Sequence, residues 1–138
     1  MKNKSLFIKL LIAFFFTANL YAKNLEISST EVKLDKKESK IVLTGNIEAK
    51  DDYDNILKAE EAFYLKKQDL LNSVGLTTIV TSENYRFESK NVIFDNRNKV
   101  IKSDFPTKIS DPNGNIFFVT MFTYNSIKNI LFSKGEIK

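Results

Sequence analysis

The sequence repeats itself in outline every thirty residues, from about residue 27 to the end of the chain. Six columns of similar residues keep this spacing, and the first column is Ile27, Leu57, Phe87 and Phe117. The other columns are Ser29, Ala59, Ser89 and Val119; Val32, Ala62, Val92 and Phe122; Leu34, Tyr64, Phe94 and Tyr124; Ile41, Leu71, Ile101 and Leu131; and Leu43, Ser73, Ser103 and Ser133. A fixed period of this size indicates one supersecondary unit stacked on itself.

Each copy of the repeat reads as two strands joined by a polar turn. In the first copy, Val32 and Leu34 alternate with polar residues, and so do Ile41 and Leu43 after them. Alternation with period two places one set of side chains on a single face of a strand. The five residues between the arms, 35–39, are all polar and are typical of a hairpin loop. The repeat therefore predicts an all-β chain of about four successive β-hairpins.

The thirty-residue register also predicts the secondary structure of segments whose own residues leave it ambiguous. The apolar alternation slips by one residue between Ser29 and Val32, and again in later copies, which predicts a bulge or strand corner. Residues 59–71 are rich in helix formers, but their register with the other copies favours a strand. The first hairpin is expected to span residues 24–47, and Glu48 to Asn55 to be a polar connection. Pro106 is expected at an edge or a bulge.

The N-terminus has the pattern of an export signal. A basic start is followed by an almost wholly apolar run from Leu6 to Phe16 and then by small and polar residues up to Ala22. We expect cleavage after Ala22, which makes residues 1–22 a signal peptide and residues 23–138 the mature domain. An uncleaved single-span anchor is the alternative, although the run is shorter than the ~20 residues that a spanning helix needs.

Composition argues against nucleic-acid binding and against catalysis. Residues 1–22 carry three lysines and no acidic side chain, so removing them lowers the net charge from +4 to +1. The chain has no histidine, cysteine or tryptophan, which removes the commonest general base and the thiol nucleophile. Asp51, Asp52 and Asp54 could ligate Ca²⁺ or could simply form a solvated loop, and they lack the glycine and distal glutamate of an EF-hand. We predict no enzyme, no cofactor and no metal site.

The remaining candidate site is the apolar face of the stacked hairpins. Its large side chains, such as Tyr64 and Phe94, could form an ordinary packed core. They could equally line a groove between two sheets, since apolar ligand sites are clefts of aliphatic and aromatic side chains. The first and last strands would expose unpaired backbone, which favours association with other modules.

The repeated arms resemble those of the OstA-like lipopolysaccharide-transport family. That family includes the periplasmic bridge protein and the N-terminal periplasmic domain of the outer-membrane assembly protein. The resemblance is carried by Ile27–Asp35, Thr44–Ile47 and Leu57–Tyr64, and it extends over about residues 24–138. Two departures are Phe105, which replaces the glycine found at the equivalent place in other copies, and an end at Lys138 in mid-arm. The second fits the front of the longer assembly protein.

The resemblance implies an open, twisted β-jellyroll that transports lipopolysaccharide through the periplasm to the outer membrane. Its interior would hold the acyl chains of lipid A, and modules would stack by their edge strands towards the outer-membrane assembly complex. The interior positions carried over as lipid-binding are Val32, Leu34, Ile41, Leu43, Leu57, Tyr64, Phe87, Val92, Phe94, Ile101, Phe122, Tyr124 and Leu131. The alternative from another class is a structural or adhesive exported β-repeat protein with a packed core and no lipid ligand.

Overall fold

The computed structural model describes residues 25–135, which form one continuous antiparallel β-sheet of twelve strands. The strands are β1 (Glu26–Ser28), β2 (Glu31–Asp35), β3 (Lys40–Lys50), β4 (Ile56–Leu65), β5 (Leu70–Val80), β6 (Arg86–Lys90), β7 (Ile93–Asp95), β8 (Val100–Ser103), β9 (Thr107–Ser110), β10 (Ile116–Val119), β11 (Met121–Asn125) and β12 (Ile130–Lys134). The predicted all-β class is confirmed. No helix that could span a membrane occurs within residues 25–135. The predicted signal peptide, residues 1–22, lies outside that range.

Four tip turns repeat at the predicted spacing. They occupy residues 36–39, 66–69, 96–99 and 126–129, and each joins the two arms of one hairpin. The last residue of every tip turn has a positive φ, between 51° and 56°, at Ser39, Asp69, Lys99 and Asn129. Short polar residues tolerate this left-handed conformation better than other side chains do. The four-hairpin prediction is thus confirmed turn by turn.

Each hairpin bends where the apolar alternation slips in the sequence. The first arms break or bulge at residues 29–30, between Ala59 and Glu61, at 91–92 and at Thr120. On the returning arms, Gly45 and Gly75 adopt φ values of +82° and +78°. Bulges of this kind re-aim a strand, and glycine adopts positive φ at no steric cost. The bends therefore fold the single sheet along a crease.

The third hairpin bends differently because Phe105 and Pro106 replace the glycine and its neighbour. The strands β3 and β5 run unbroken through the crease for 11 residues each. The corresponding arm of the third copy is split into β8 and β9, with Pro106 in the gap between them. Proline cannot donate to a ladder, so pairing stops there.

The crease divides the sheet into two halves that face each other. The first half contains β2, β7, β8, β11 and β12 with the tip-proximal parts of β3, β4 and β5. The second half contains β1, β6, β9 and β10 with the other parts of β3, β4 and β5. The rings of Phe87 and Phe122, one from each half, stack with centroids 4.8 Å apart. The predicted jellyroll is therefore an open fold of two opposed half-sheets.

The predicted connection from Glu48 to Asn55 is wrong in its first half. Strand β3 continues to Lys50, and Glu48, Ala49 and Lys50 pair with Lys58, Leu57 and Ile56. The actual return turn is the five-residue loop 51–55, closed by a hydrogen bond from Asp51 N to Asn55 O of 3.1 Å. The charges of Glu48 and Lys50 are typical of a loop, yet both side chains point outward from a paired strand.

Hydroxyl side chains fill the inside of the crease. Thr77 Oγ1 donates to Ser73 Oγ at 2.6 Å, and Ser89 Oγ donates to Ser103 Oγ at 3.0 Å. All four residues are buried. Small side chains let the two half-sheets approach each other, and their mutual hydrogen bonds satisfy the buried polar atoms. The larger apolar residues lie further from the crease.

Candidate functional site

A ladder of eight apolar or aromatic residues crosses the first half-sheet from edge to edge. Its members stand directly opposite one another on successive strands, so they share the inward face. The ladder reads Leu34, Ile41, Tyr64, Leu71, Phe94, Ile101, Tyr124 and Leu131. Seven of the predicted interior residues belong to it, and only Leu71 was not among them.

The other predicted interior residues lie on the same inward surface. Val32 and Leu43 are opposite each other in the next row of the first half-sheet, and Phe122 lies opposite Ser103 further along. Val92 accepts a backbone hydrogen bond from Ser73 in that region. Leu57 and Phe87 belong to a facing ladder in the second half-sheet, which reads Ile27, Ala49, Leu57, Ile79, Phe87, Ile109 and Phe117.

The middle of this inward surface is tightly closed. Leu57, Phe87, Phe94, Ile101 and Phe122 are at most 1% exposed, because the facing half-sheet covers them. The stacked pair of Phe87 and Phe122 is joined by Tyr124, whose ring centroid lies 6.0 Å from that of Phe87. In this part the interior is a packed core, and acyl chains could enter only if the half-sheets moved apart.

The N-terminal end of the same surface is open. Val32 is 67% exposed and Leu34 is 59% exposed, although both point to the inward face by register. No other part of residues 25–135 covers them. Burial then increases through Ile41 and Leu43, which is 4% exposed, towards the closed centre. The inward surface is therefore a trough that is open at one end.

Two tyrosines of the ladder place their hydroxyl groups near the mouth of the fold. The mouth is the side opposite the crease, where the tip turns and the return turns meet. Tyr64 Oη donates to Asp69 Oδ1, and burial together with this carboxylate raises the pKa of the Tyr64 hydroxyl. Tyr124 Oη donates to Asn129 Oδ1 at 3.0 Å, and burial followed by the nearby Glu83 charge raises the pKa of Tyr124. Both hydroxyls stay neutral at physiological pH, as buried phenols require.

The mouth opposite the crease is closed by contacts between tip turns and return turns. Lys99 Nζ, from the third tip turn, lies 2.7 Å from Asp52 Oδ1 in the first return turn. The same ammonium group lies 5.7 Å from the centre of the Tyr53 ring. The second and third return turns are residues 81–85 and 111–115. Thr81 and the Glu83 charge, in the second return turn, act on the pKa of Tyr124 next to the fourth tip turn, so these two turns lie close together. The third and fourth tip turns thus face the return turn two copies earlier.

The aspartates considered as a Ca²⁺ site build the first return turn. Asp51 is 5% exposed, and its Oδ1 accepts from Tyr53 N at 3.0 Å and from Asn55 N at 2.9 Å. Its Oδ2 accepts from Asn55 Nδ2 at 2.9 Å. Asp52 pairs with Lys99 instead of turning towards Asp51. Within residues 25–135 no group of three or more His, Cys, Asp or Glu side chains is placed to hold a metal ion.

The sequence interpretation missed the charges that surround the mouth. The tip turns are mostly basic, with Lys or Arg at residues 36, 37, 66, 67, 97, 99 and 128 and acidic residues at 38 and 69. The charged residues of the return turns, at 51, 52, 54, 83 and 111, are all acidic. Taken alone, the polarity of each group indicates only a solvated loop. Aligning the turns of the four copies at the thirty-residue spacing would have shown this difference in charge, because mostly basic turns and wholly acidic turns alternate along the repeat.

Comparisons with known proteins agree with this architecture. A family model described as "Lipopolysaccharide-assembly, LptC-related" matches residues 1–135. A search of curated proteins finds no match. The crystal structure of LptH from Pseudomonas aeruginosa, described as the LptA-homologous periplasmic component of a lipopolysaccharide transport device, is similar with a TM-score of 0.67. The similarity covers 83% of each chain at 15% identity, so it bears on the fold, and it confirms the predicted jellyroll.

Proposed function

Because the chain belongs to the LptC-related family of lipopolysaccharide-assembly proteins, we propose that it carries lipopolysaccharide through the periplasm towards the outer membrane. The acyl chains of lipid A lie on the inward surface, and the sugar part stays outside the mouth. The observation that supports this most strongly is the eight-residue inward ladder, exposed at Leu34 and closed at Phe94. A trough that is open at one end offers apolar surface to a chain-like ligand.

The packed centre defines how the lipid would bind. Phe87 and Phe122 stack at 4.8 Å, which leaves no room for an acyl chain between them. We propose that acyl chains first cover Val32 and Leu34 and then separate the half-sheets by wedging outward from the open end. This is a transfer role without a chemical step, and it needs no cofactor.

Stacked modules would extend the trough. The edge strands are β1 and β2 at one end and β10 and β12 at the other, and each pairs with one neighbour only within residues 25–135. An edge with unpaired backbone can accept a strand from another jellyroll. We propose that such stacking passes lipopolysaccharide between modules and onward to the outer-membrane assembly complex. Export by residues 1–22 places the domain in the periplasm, and the mass of the purified mature chain decides between cleavage after Ala22 and a retained anchor.

The second candidate is an exported structural or adhesive β-repeat protein. The observation in its favour is the closed centre, since a core with side chains at most 1% exposed is complete without a ligand. This candidate predicts that the half-sheets never part and that lipid touches only the outer surface.

Photo-crosslinking in cells separates the two candidates. A photoreactive residue at Leu43, Tyr64 or Phe94 faces inward, and the neighbours Val42, Phe63 and Ile93 face outward on the same strands. Transport predicts crosslinks to lipopolysaccharide at the three inward sites and few or none at the outward ones. Equal labelling on both faces, or none at the inward sites in a folded protein, would sink the transport proposal.

A further inference from the structure

Within residues 25–135, no acidic turn lies opposite the first two tip turns. The third tip turn faces the first return turn through Lys99 and Asp52, and Tyr124 beside the fourth lies close to the second return turn. Applied to the first two tip turns, the same offset would require return turns before the first copy, and none lies within residues 25–135. Among residues 25–135, return turns therefore close the mouth over the third and fourth hairpins and leave it uncovered over the first and second.

A depression of about 470 Å³ occupies the open part of the mouth. Leu34 and Ile41, the first two members of the inward ladder, line it and are called its floor. Lys36, Lys66 and Lys67, from the first two tip turns, also line it and are called its rim. Asp35 and Ser39 complete the lining. The Asp35 carboxylate accepts from the backbone N–H groups of residues 37 and 38, so it is engaged in its own turn.

The three rim lysines give the depression a net positive charge, since Asp35 is the one carboxylate in its lining. No ion pair within residues 25–135 involves Lys36, Lys66 or Lys67. Their neighbours differ, since Lys40 pairs with Glu38 and Lys99 pairs with Asp52. Three ammonium groups around an apolar floor match a molecule that has an anionic head and apolar tails. Lysine binds phosphate as a compact point charge.

We propose that the depression rimmed by Lys36, Lys66 and Lys67 binds the phosphate-bearing headgroup of an amphiphile whose acyl chains lie over Leu34 and Ile41. This assignment rests on the proposed function. It adds that the headgroup of the transported lipid contacts the rim lysines and that the acyl chains contact the floor. An acidic protein segment would satisfy the lysines but would leave the apolar floor exposed. The continuity of the floor with the buried ladder favours the amphiphile.

The test compares one lipid with and without its phosphate. The triple variant K36Q/K66Q/K67Q is set against K33Q/K58Q/K102Q, which removes three exposed, outward-pointing lysines and so changes the net charge equally. Binding of phosphatidic acid and of diacylglycerol in neutral detergent micelles is measured for the full exported chain. We expect the unmodified protein to prefer phosphatidic acid by about tenfold, and the rim variant to lose that preference while its diacylglycerol binding is unchanged.

Four results would overturn the assignment. The rim variant could keep its preference, or the control variant could lose it equally, which would indicate net charge alone. Inorganic phosphate could displace the lipid at equal concentration, which would indicate a site for the free anion. The rim variant could instead lose only its association with a second copy of the chain, which would indicate an acidic protein partner.

The crosslinking experiment at Phe94 separates this assignment from the proposed function. Crosslinks to lipopolysaccharide at Phe94 together with an unchanged lipid preference in the rim variant would leave transport standing and remove the headgroup site. A lysine-dependent lipid preference without crosslinks at Phe94 would leave the headgroup site standing and remove transport, because the ligand would bind at the rim without entering the interior.

Discussion

Single residues with left-handed backbone mark where the chain must turn. Ser39, Asp69 and Asn129 end their tip turns with short polar side chains, which adopt positive φ readily. Lys99 occupies the same place with φ +56°, although lysine is not among the residues that favour this conformation. Its ammonium group reaches Asp52 Oδ1 at 2.7 Å and Asn96 Oδ1 at 2.8 Å. The backbone at Lys99 therefore tolerates an unfavourable conformation where its side chain closes the mouth.

Gly45 and Gly75 have nearly the same backbone and different surroundings, which makes them a matched pair. A Cβ at Gly45 would lie 3.0 Å from Thr30 Cβ and from Thr30 Oγ1, whereas a Cβ at Gly75 would meet nothing within 4 Å. We expect Gly75→Ala to lower the free energy of unfolding by about 1–2 kcal/mol, the cost of positive φ for alanine. Gly45→Ala should cost about 1 kcal/mol more because Thr30 must move.

Urea unfolding followed by circular dichroism measures both variants. The double variant Gly45→Ala/Thr30→Ala removes the Thr30 Oγ1 that would lie 3.0 Å from the new Cβ, and compared with Thr30→Ala alone it should recover part of the additional loss. Equal destabilisation by the two single variants would show that the contact with Thr30 contributes nothing.

At the level of strands and turns, the sequence period predicted most of what is observed. The four tip turns, the slips at residues 29–30 and 91–92, and the strand over residues 56–65 all follow from alternation and register. The extension of β3 to Lys50 could not be predicted in this way, since Glu48 and Lys50 face outward and their polarity resembles that of a loop. The buried hydroxyls of Ser73, Ser89 and Ser103 were also hidden, because a column of serines alone does not reveal a crease.

The return turns hold the ends of the second half-sheet in place, and two of them use the same Asp-to-Asn hydrogen bond in different environments. Asn55 is fully buried, donates to Asp51 Oδ2 at 2.9 Å and accepts from Ser82 N at 3.1 Å. Asn115 donates to Asp111 Oδ2 at 2.8 Å in an exposed turn, and this hydrogen bond is the first cause of the lowered pKa of Asp111. The two turns form a matched pair for mutation.

Asn55→Ala should destabilise the domain by about 2–3 kcal/mol, because it leaves the Ser82 N–H and a buried carboxylate oxygen without partners. Asn115→Ala should cost about 1 kcal/mol or less, since water replaces the lost hydrogen bond. Thermal and urea unfolding of both variants measures the difference. A similar loss in the two variants would mean that the link from Asn55 to the second return turn does not stabilise the fold.

Across the whole molecule, the resemblance to lipopolysaccharide-transport proteins predicted the jellyroll and the family-level identity, and both are confirmed. The offset of two copies between facing turns could not be predicted, because it depends on how strongly the folded sheet twists. That offset decides where the mouth is closed, at Lys99 and Asp52, and where it is open, above Leu34. The lipid-binding roles of the individual interior residues remain predictions.

The contact between Lys99 and Asp52 should control how readily the mouth opens. The two side chains are 16% and 28% exposed, so losing their ion pair should cost no more than about 1 kcal/mol of global stability. Lys99→Met should nevertheless accelerate amide hydrogen exchange in the first return turn and increase the binding of an apolar fluorescent dye, since local opening needs far less energy than unfolding. Lys50→Met is the control, because Lys50 pairs with Asp54 at 3.3 Å across an exposed site that joins no half-sheets. Unchanged exchange and dye binding in Lys99→Met, or equal changes in the control, would show that the mouth is held by packing alone.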